Sequence, residues 1–359
     1  MNYQQVFQNT YAGKKVLVTG HTGFKGSWLI TWLHRLGAKV KGYALAPGDD
    51  KELYSLLKGN ELCDSVISDI RDQASLIREV KNFDPDFIFH LAAQSLVRVS
   101  YAYPAETFDI NVRGTIHLLE AARMLNKPCT IIVVTTDKVY QNRETDHAYE
   151  EEDALGGYDP YSASKAAAEI VVSSYRDSFF NPSAHTQHQI SIATARAGNV
   201  IGGGDMARDR IIPDIVRSME KNTAIPVRNP GSTRPWQHVL EPLSGYLLLG
   251  SKLKDNPKLA GAWNFGPEAD DVLTVEELVK QALEKWGKGS YEIAKLTDQP
   301  HEAGQLRLNI NKAKQQLDRR PRLRSAAAIS LTIDWYKHAS PGFLDYTTKQ
   351  IASYEAMVI

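Results

Sequence analysis

Cysteine is almost missing from this chain of 359 residues: Cys63 and Cys129 stand alone in otherwise ordinary sequence. Two isolated thiols exclude a disulfide framework and suggest a reducing compartment. An excess of one charge is missing as well, since Lys plus Arg and Asp plus Glu both number 42. A balanced surface gives no drive toward nucleic acid or anionic lipid. No apolar run approaches the roughly 18 residues that a membrane span needs. The opening stretch "MNYQQVFQNTYAGKK" lacks the basic-then-apolar pattern of a signal peptide. Repeats and low-complexity tracts are absent too. These absences leave the expectation of a cytoplasmic protein without membrane or nucleic-acid partners. At 43% hydrophobic and 23% charged, the chain can bury a large core in one big domain or two.

What is present is an alternation. Apolar, β-branched runs near 15–19, 38–43, 65–68, 86–92 and 130–136 read as strands. Helical patterns separate them. In "GSWLITWLHRLG" the residues Trp28, Leu29, Trp32, Leu33 and Leu36 recur at helical spacing, and Gly37 stops the helix. Strands alternating with helices predict a parallel sheet covered on both faces. A sixth strand begins near 190. Beyond it the pattern breaks into glycine-rich and proline-rich loops, with one more short strand near 262–267. The expected division is therefore a sheet domain over 1–190, to which later strands return, and a smaller interleaved α/β lobe over 191–359.

"VLVTGHTGFKGSWL" sets Gly20, Gly23 and Gly26 between the first strand and the first helix. Glycines at this junction let the backbone turn tightly and approach a pyrophosphate at the positive end of the helix. The fold class is accordingly α/β, a Rossmann-like doubly wound sheet that binds a dinucleotide. An acid that would hold the ribose hydroxyls is expected about 20 residues on. The second strand instead offers Tyr43, with Asp49 and Asp50 coming late and no Arg to meet a 2′-phosphate, so NAD is the cofactor expected. Asp69, after the third strand, has two readings: an acceptor for the adenine amino group, or the cap of the following helix.

The run "TIIVVTTDKVYQ", 130–141, ends a buried strand in a hydroxyl, a carboxylate and an ammonium: Thr136, Asp137 and Lys138. Either the last two form a plain ion pair or they are used. Fully extended neighbours point to opposite faces, so both can face one ligand only if the strand has already turned. Downstream, "GGYDPYSASKAAAEIVV" sets Tyr161 and Lys165 four apart, on one face of a helix. An ammonium beside a phenol favours the phenolate and would lower the tyrosine toward working pH.

Joined to the glycine loop, "HLAAQ" (90–94) and "NVRGT" (111–115), the Tyr-Lys pair resembles the extended short-chain dehydrogenase/reductase family over nearly the whole chain. "GHTGFKGSWL", "TTDKVYQN", "RAGNVIGGGD" and "TRPWQHVLEP" resemble its nucleotide-sugar 4,6-dehydratases, in particular the CDP-glucose branch. The resemblance implies tightly held NAD, a nucleotide-diphosphate hexose substrate (CDP-glucose) and deoxysugar formation for surface polysaccharide such as O-antigen. It implies catalysis by Thr136, Tyr161 and Lys165 at the sugar 4-hydroxyl, with Asp137 as acid and Lys138 as base. The cofactor would lie against Gly20, Thr22, Gly23, Phe24, Lys25, Gly26, Asp69, Ile70, Leu91, Ala92, Ala93 and Asn111, besides Tyr161 and Lys165. Substrate contacts fall on Asn199, Arg210, Arg234 and His301, the last with Glu302 beside it, and Trp236 walls the pocket or fills the core. Arg196, Arg208 and Arg307 are expected in structural pairs. A homodimer or higher homo-oligomer through paired helices is also implied. A nucleotide-sugar 4-epimerase and a non-catalytic NAD-binding sensor are the other readings. The first would have no use for Asp137 and Lys138, and intact Tyr161, Lys165 and Thr136 weigh against the second.

Overall fold

The computed structural model describes residues 2–294 and 306–357. Seven parallel strands form its main sheet: β1 (Lys15–Thr19), β2 (Lys39–Ala44), β3 (Asp64–Ile67), β4 (Phe87–His90), β5 (Cys129–Val134), β6 (Ile190–Ala197) and β7 (Gly261–Phe265). Their order across the sheet is β7-β6-β5-β4-β1-β2-β3. The strand order reverses at β1, so the loops after β1 and β4 part and leave a crevice beyond the carboxyl ends.

Side-chain alternation assigns the two faces. Val16 and Val18 of β1 face a layer built from helices α1 (Tyr3–Tyr11) and α2 (Phe24–Arg35) and from two helices late in the chain. Leu17, with Ile88, Ile131 and Ile192, faces the opposite layer. There α3 (Gln73–Phe83), α4 (Gly114–Ala122) and α5 (Pro160–Ser178) supply Leu76, Val80, Leu118, Leu119 and Val172. The α2 stripe read from the sequence is buried at all five positions, and Gly37, at φ +79°, takes the left-handed conformation that ends the helix. Asp159 caps α5 by accepting from the Ser162 amide, with Pro160 as the first helical residue.

Residues after 190 are shared between two bodies. β6 and β7 extend the sheet, and α7 (Leu240–Asp255) and α10 (Phe343–Ala356) cover its first face. A separate core around Ile212, Ile215, Val216, Met219, Trp236, Leu278, Val279 and Ile329 joins α6 (Ile211–Lys221), α8 (Val275–Trp286) and α9 (Ser325–His338) into the smaller lobe. Among the described residues no helix is long and apolar enough to cross a membrane.

Candidate active site

The turn after β1 is a cradle that only glycine can form. Gly20 sits at φ +73°, and a Cβ there would lie 2.7 Å from the Ala92 nitrogen and 2.8 Å from the Leu91 carbonyl carbon. A Cβ on Gly26, in the first turn of α2, would overlap the Gly20 carbonyl oxygen. Gly23 is the N-cap and supplies no capping side chain, so the first amides of α2 face outward at the positive helix end. Thr22 donates to the Leu45 carbonyl at 2.9 Å, and the half-buried Phe24 packs against the core. The amides of Leu91 and Ala92 both donate to the Thr19 hydroxyl at 3.2 Å, which fixes the β4 exit, with Ala93 next in line, beside the glycine turn.

Other residues expected at the cofactor are also bonded within the fold. Asn111 spends its carboxamide on the Gln94 backbone, accepting at 2.8 Å and donating at 3.0 Å, and on Ser164 Oγ at 2.8 Å. It ties the loop after β4 to α5. Ile70 buries its side chain in the second core layer, and its carbonyl faces His117. Asp69 does not cap α3; Asp72 does. The Asp69 carboxylate is gripped by the Arg71 guanidinium, which holds it below the usual carboxylate range. Tyr43, at the expected acidic position, is fully buried and donates to Ser68 Oγ at 3.0 Å and the Asp69 carbonyl at 3.1 Å.

The strand that leads to Thr136–Lys138 turns just beyond its end. Thr136 is still extended (φ −146°, ψ 159°), and a single 3-10 turn follows over Asp137–Val139. Its hydroxyl donates to Asp137 Oδ1 at 2.9 Å and accepts from the Lys138 amide at 3.4 Å. Asp137 is 1% exposed, and its Oδ2 is buried without a hydrogen-bond partner among the described residues. Lys138 is half-buried. Among the described residues no ion pair joins it to Asp137, whose Oδ1 accepts from Thr136 instead, and the plain-pair reading of these neighbours falls.

Tyr161 and Lys165 lie one turn apart on α5, both buried. The expectation that the lysine lowers the phenol is corrected here. Lys165 Nζ donates to the Val134 carbonyl at 2.9 Å. Burial pushes the Tyr161 phenol up to about 12; the Thr136 hydroxyl and Arg210 pull it down, and Asp137 pushes it up. Desolvation wins because no cation touches the phenol directly. Burial likewise pulls the Lys165 ammonium down to about 8, against the opposing charge of Glu169.

Arg210 donates to Asp205 Oδ2 at 2.9 Å and Ser95 Oγ at 3.3 Å, at the mouth above Tyr161. Lys25 points into the same space. Burial, together with Arg210 and Lys165, pulls its ammonium down to about 8, and Asp137 and Asp205 oppose that shift. Asn199 takes a left-handed conformation (φ +49°) just past β6, where its carbonyl accepts from the Gln237 amide. Arg234 donates to the Thr233 carbonyl at 3.0 Å on a two-residue strand paired with Leu273. Trp236 belongs to the lobe core. His301 and Glu302 lie outside the described residues. Of the three arginines expected in structural pairs, Arg196 is in one, with Glu169; among the described residues no side-chain hydrogen bond or ion pair is formed by Arg208, which is exposed, or by Arg307, which is half-buried on a two-residue strand.

Two residues that hold site side chains or the segment around them escaped the sequence reading. Asp205, which anchors Arg210, sits in a loop whose course no local pattern gives. Glu169 was findable: it stands one further turn along the face that carries Tyr161 and Lys165.

With this geometry in place, comparison with known proteins is informative. The family model described as GDP-mannose 4,6 dehydratase matches residues 17–332. A CDP-glucose 4,6-dehydratase from Salmonella typhimurium is 47% identical over 331 residues, 92% of each chain. A dTDP-glucose 4,6-dehydratase from Streptomyces antibioticus is 28% identical over 328 residues, 90% of this chain and 92% of its own. Among solved structures, a Thermus thermophilus UDP-glucose 4-epimerase in complex with NAD is 25% identical and superposes with a TM-score of 0.77, covering 90% of this chain and 99% of that one. The match thus takes in the sheet domain, the Asp137–Val139 turn and most of the lobe, and the chain belongs to the extended short-chain dehydrogenase/reductase family, among its nucleotide-sugar 4,6-dehydratases.

Proposed function

We propose that the protein converts CDP-glucose to CDP-4-dehydro-6-deoxy-glucose and water, with NAD as a recycled hydride carrier. The observation that carries the reading is the turn Asp137–Val139. It sets a buried carboxylate against the Thr136–Tyr161 pair, with a half-buried lysine as the next residue of the same turn. A 4-epimerase has no task for these two groups. Identity of 47% with a CDP-glucose 4,6-dehydratase supports the choice of nucleotide.

The residues present fit a dinucleotide. The close approach of Gly20 and Gly26 leaves the α2 N-terminus free for a pyrophosphate, and the absence of an arginine after β2 disfavours a 2′-phosphate. NAD, when bound, supplies an acceptor for hydride from sugar C4 and its donor back to C6. The protein's part is proton handling. Tyr161 must take the proton of the 4-hydroxyl as phenolate, so its phenol, held at about 12 by burial, has to be lowered as ligands fill the site, with the Thr136 hydroxyl and Arg210 already acting in that direction. Lys165, one turn away on α5 and bonded to the Val134 carbonyl, is proposed to aid Tyr161 with its charge. The ketone at C4 acidifies the C5 proton, which Lys138, in its neutral form, removes and later returns to C5 as hydride reaches C6; Asp137, in its protonated form, protonates the departing C6 hydroxyl. Arg210 and Arg234 hold the diphosphate, a task suited to guanidinium forks, with Asn199 as a further contact; His301 is assigned to the nucleotide by resemblance alone. A homodimer is proposed on the face of α5 and the segment before α4, where Ile170 and Tyr103 are each 60% exposed.

The test is incubation with CDP-glucose, dTDP-glucose, UDP-glucose and GDP-mannose, each with NAD, followed by mass spectrometry. Loss of one water from CDP-glucose alone is the expected result. Loss from another nucleotide would keep the chemistry and discard the substrate. An unchanged mass with the C4 epimer seen by NMR would overturn the dehydratase reading.

A further inference from the structure

Tyr161, Lys165 and Glu169 stand one turn apart along one face of α5. The first two reach the site, and the third does not. Glu169 is 4% exposed, and its carboxylate is saturated. Oε1 accepts from Thr135 Oγ1 at 2.5 Å and Arg196 Nε at 3.0 Å; Oε2 accepts from Thr194 Oγ1 at 2.6 Å and Arg196 Nη2 at 3.1 Å. A core that needed only filling would be served as well by apolar side chains, without the desolvation of two charges.

Two of these partners lead to the catalytic turn, from its two ends. Thr135 immediately precedes Thr136. Arg196 Nη1 donates to Tyr140 Oη at 2.8 Å and to the Glu151 carbonyl at 2.9 Å, and its guanidinium lies 4.9 Å from the centre of the Tyr140 ring. Tyr140 directly follows Val139, and its hydroxyl donates to Asn264 Oδ1 of β7 at 2.7 Å. The turn is therefore tied at its entry and its exit to one carboxylate, on the helix that carries the phenol.

We propose that Glu169 is a positioning residue of this site: through Thr135 and through Arg196–Tyr140 it fixes the Thr136–Lys138 turn against the Tyr161 phenol. The role in turnover rests on the reaction proposed above; the geometric role does not. Glu169→Gln would leave Arg196 buried without its counter-charge and report on folding as much as on position. The test therefore uses the two threonines that bond to opposite oxygens. Thr135→Val and Thr194→Val each delete one buried bond to Glu169 at nearly the same shape, but only Thr135 adjoins the turn.

Expected for Thr135→Val is a fall in kcat on the order of 10-fold or more, the scale of a misplaced reacting group, with KM for the sugar nucleotide and NAD binding within about 2-fold. Amide hydrogen exchange in the peptide over 134–141 should also accelerate. Thr194→Val should lose comparable thermal stability and change neither kcat nor that exchange. Equal effects of the two variants, or no effect of Thr135→Val, would overturn the proposal. A wild-type protein inert toward every sugar nucleotide would instead condemn the reaction, and the exchange contrast would still decide the role of Glu169.

Discussion

Gly198 makes room for Asp137. A Cβ on residue 198 would overlap both oxygens of the Asp137 carboxylate, so the acid lies flat against bare backbone just beyond β6. The carboxylate is thereby held away from solvent, with Oδ1 on Thr136 and Oδ2 unbonded among the described residues. Gly198→Ala is expected to expel it while sparing the glycine cradle. With a proton-transfer group displaced, kcat should fall about 100-fold or more, and NAD affinity, measured by titration, should stay unchanged.

The division of labour between Asp137 and Lys138 can be read with solvent deuterium. Lys138→Met should still oxidise the sugar at C4 but take up no deuterium at C5, and the 4-keto hexose should accumulate with its oxygen at C6. Asp137→Asn should exchange C5 yet release little water. Mass spectrometry of quenched reactions separates the two outcomes. Full water loss by Lys138→Met would remove the base from the scheme.

Much of this arrangement was legible in the sequence because it depends on local rules. All seven sheet strands, the stripe on α2 and the glycine turn follow from periodicity and from glycine's freedom, and each lies within a few residues of its expected place. The charges were harder. The phenol of Tyr161 was expected to be lowered by Lys165, but spacing on a helix says nothing of what else competes for an ammonium, and here a carbonyl at the end of β5 takes it. Asp69 was equally open as a cap; three residues later Asp72 takes that part, because α3 begins one turn further on than its first polar residue suggests. Arg196 was expected in a structural pair but with no partner named, Thr135 and Thr194 look like strand residues of no note, and the three meet Glu169 only because β5 and β6 are neighbours under α5. Contacts between strands distant in sequence are what one chain read alone does not give.

Burial of Lys165 has a consequence for stability as well as for chemistry. Its ammonium titrates near 8 in the folded protein against 10.5 ordinarily, mainly through desolvation. Between those values the unfolded chain binds a proton that the folded chain has released. Stability from this group must therefore rise with pH across the window, by up to about 1.4 kcal/mol per pH unit, and be flat below it, where its cost is fully present. Subtracting the denaturation curve of Lys165→Met from that of the wild type isolates the slope from other titrating groups. A difference that is flat or falls from pH 8 to 10 would mean that the site stabilises the charged form.

Glu241 and Arg319 test how the late helices are held to the sheet. The pair is almost completely buried, with Arg319 Nη2 donating to Glu241 Oε2 at 2.7 Å. Oε1 accepts from the amides of Arg322 and Leu323 at 2.8 and 2.7 Å, so one carboxylate both neutralises the arginine and fixes the chain entering α9. Glu241→Ala would leave an uncompensated buried guanidinium and two unsatisfied amides, a loss of roughly 3–5 kcal/mol. Replacing both partners, Glu241→Leu with Arg319→Met, removes the stranded charge and should recover part of that loss. Urea denaturation of the two variants measures the difference. A double variant less stable than Glu241→Ala would show that the arginine contributes through contacts other than the carboxylate, such as its stacking 5.6 Å from the centre of the Phe265 ring.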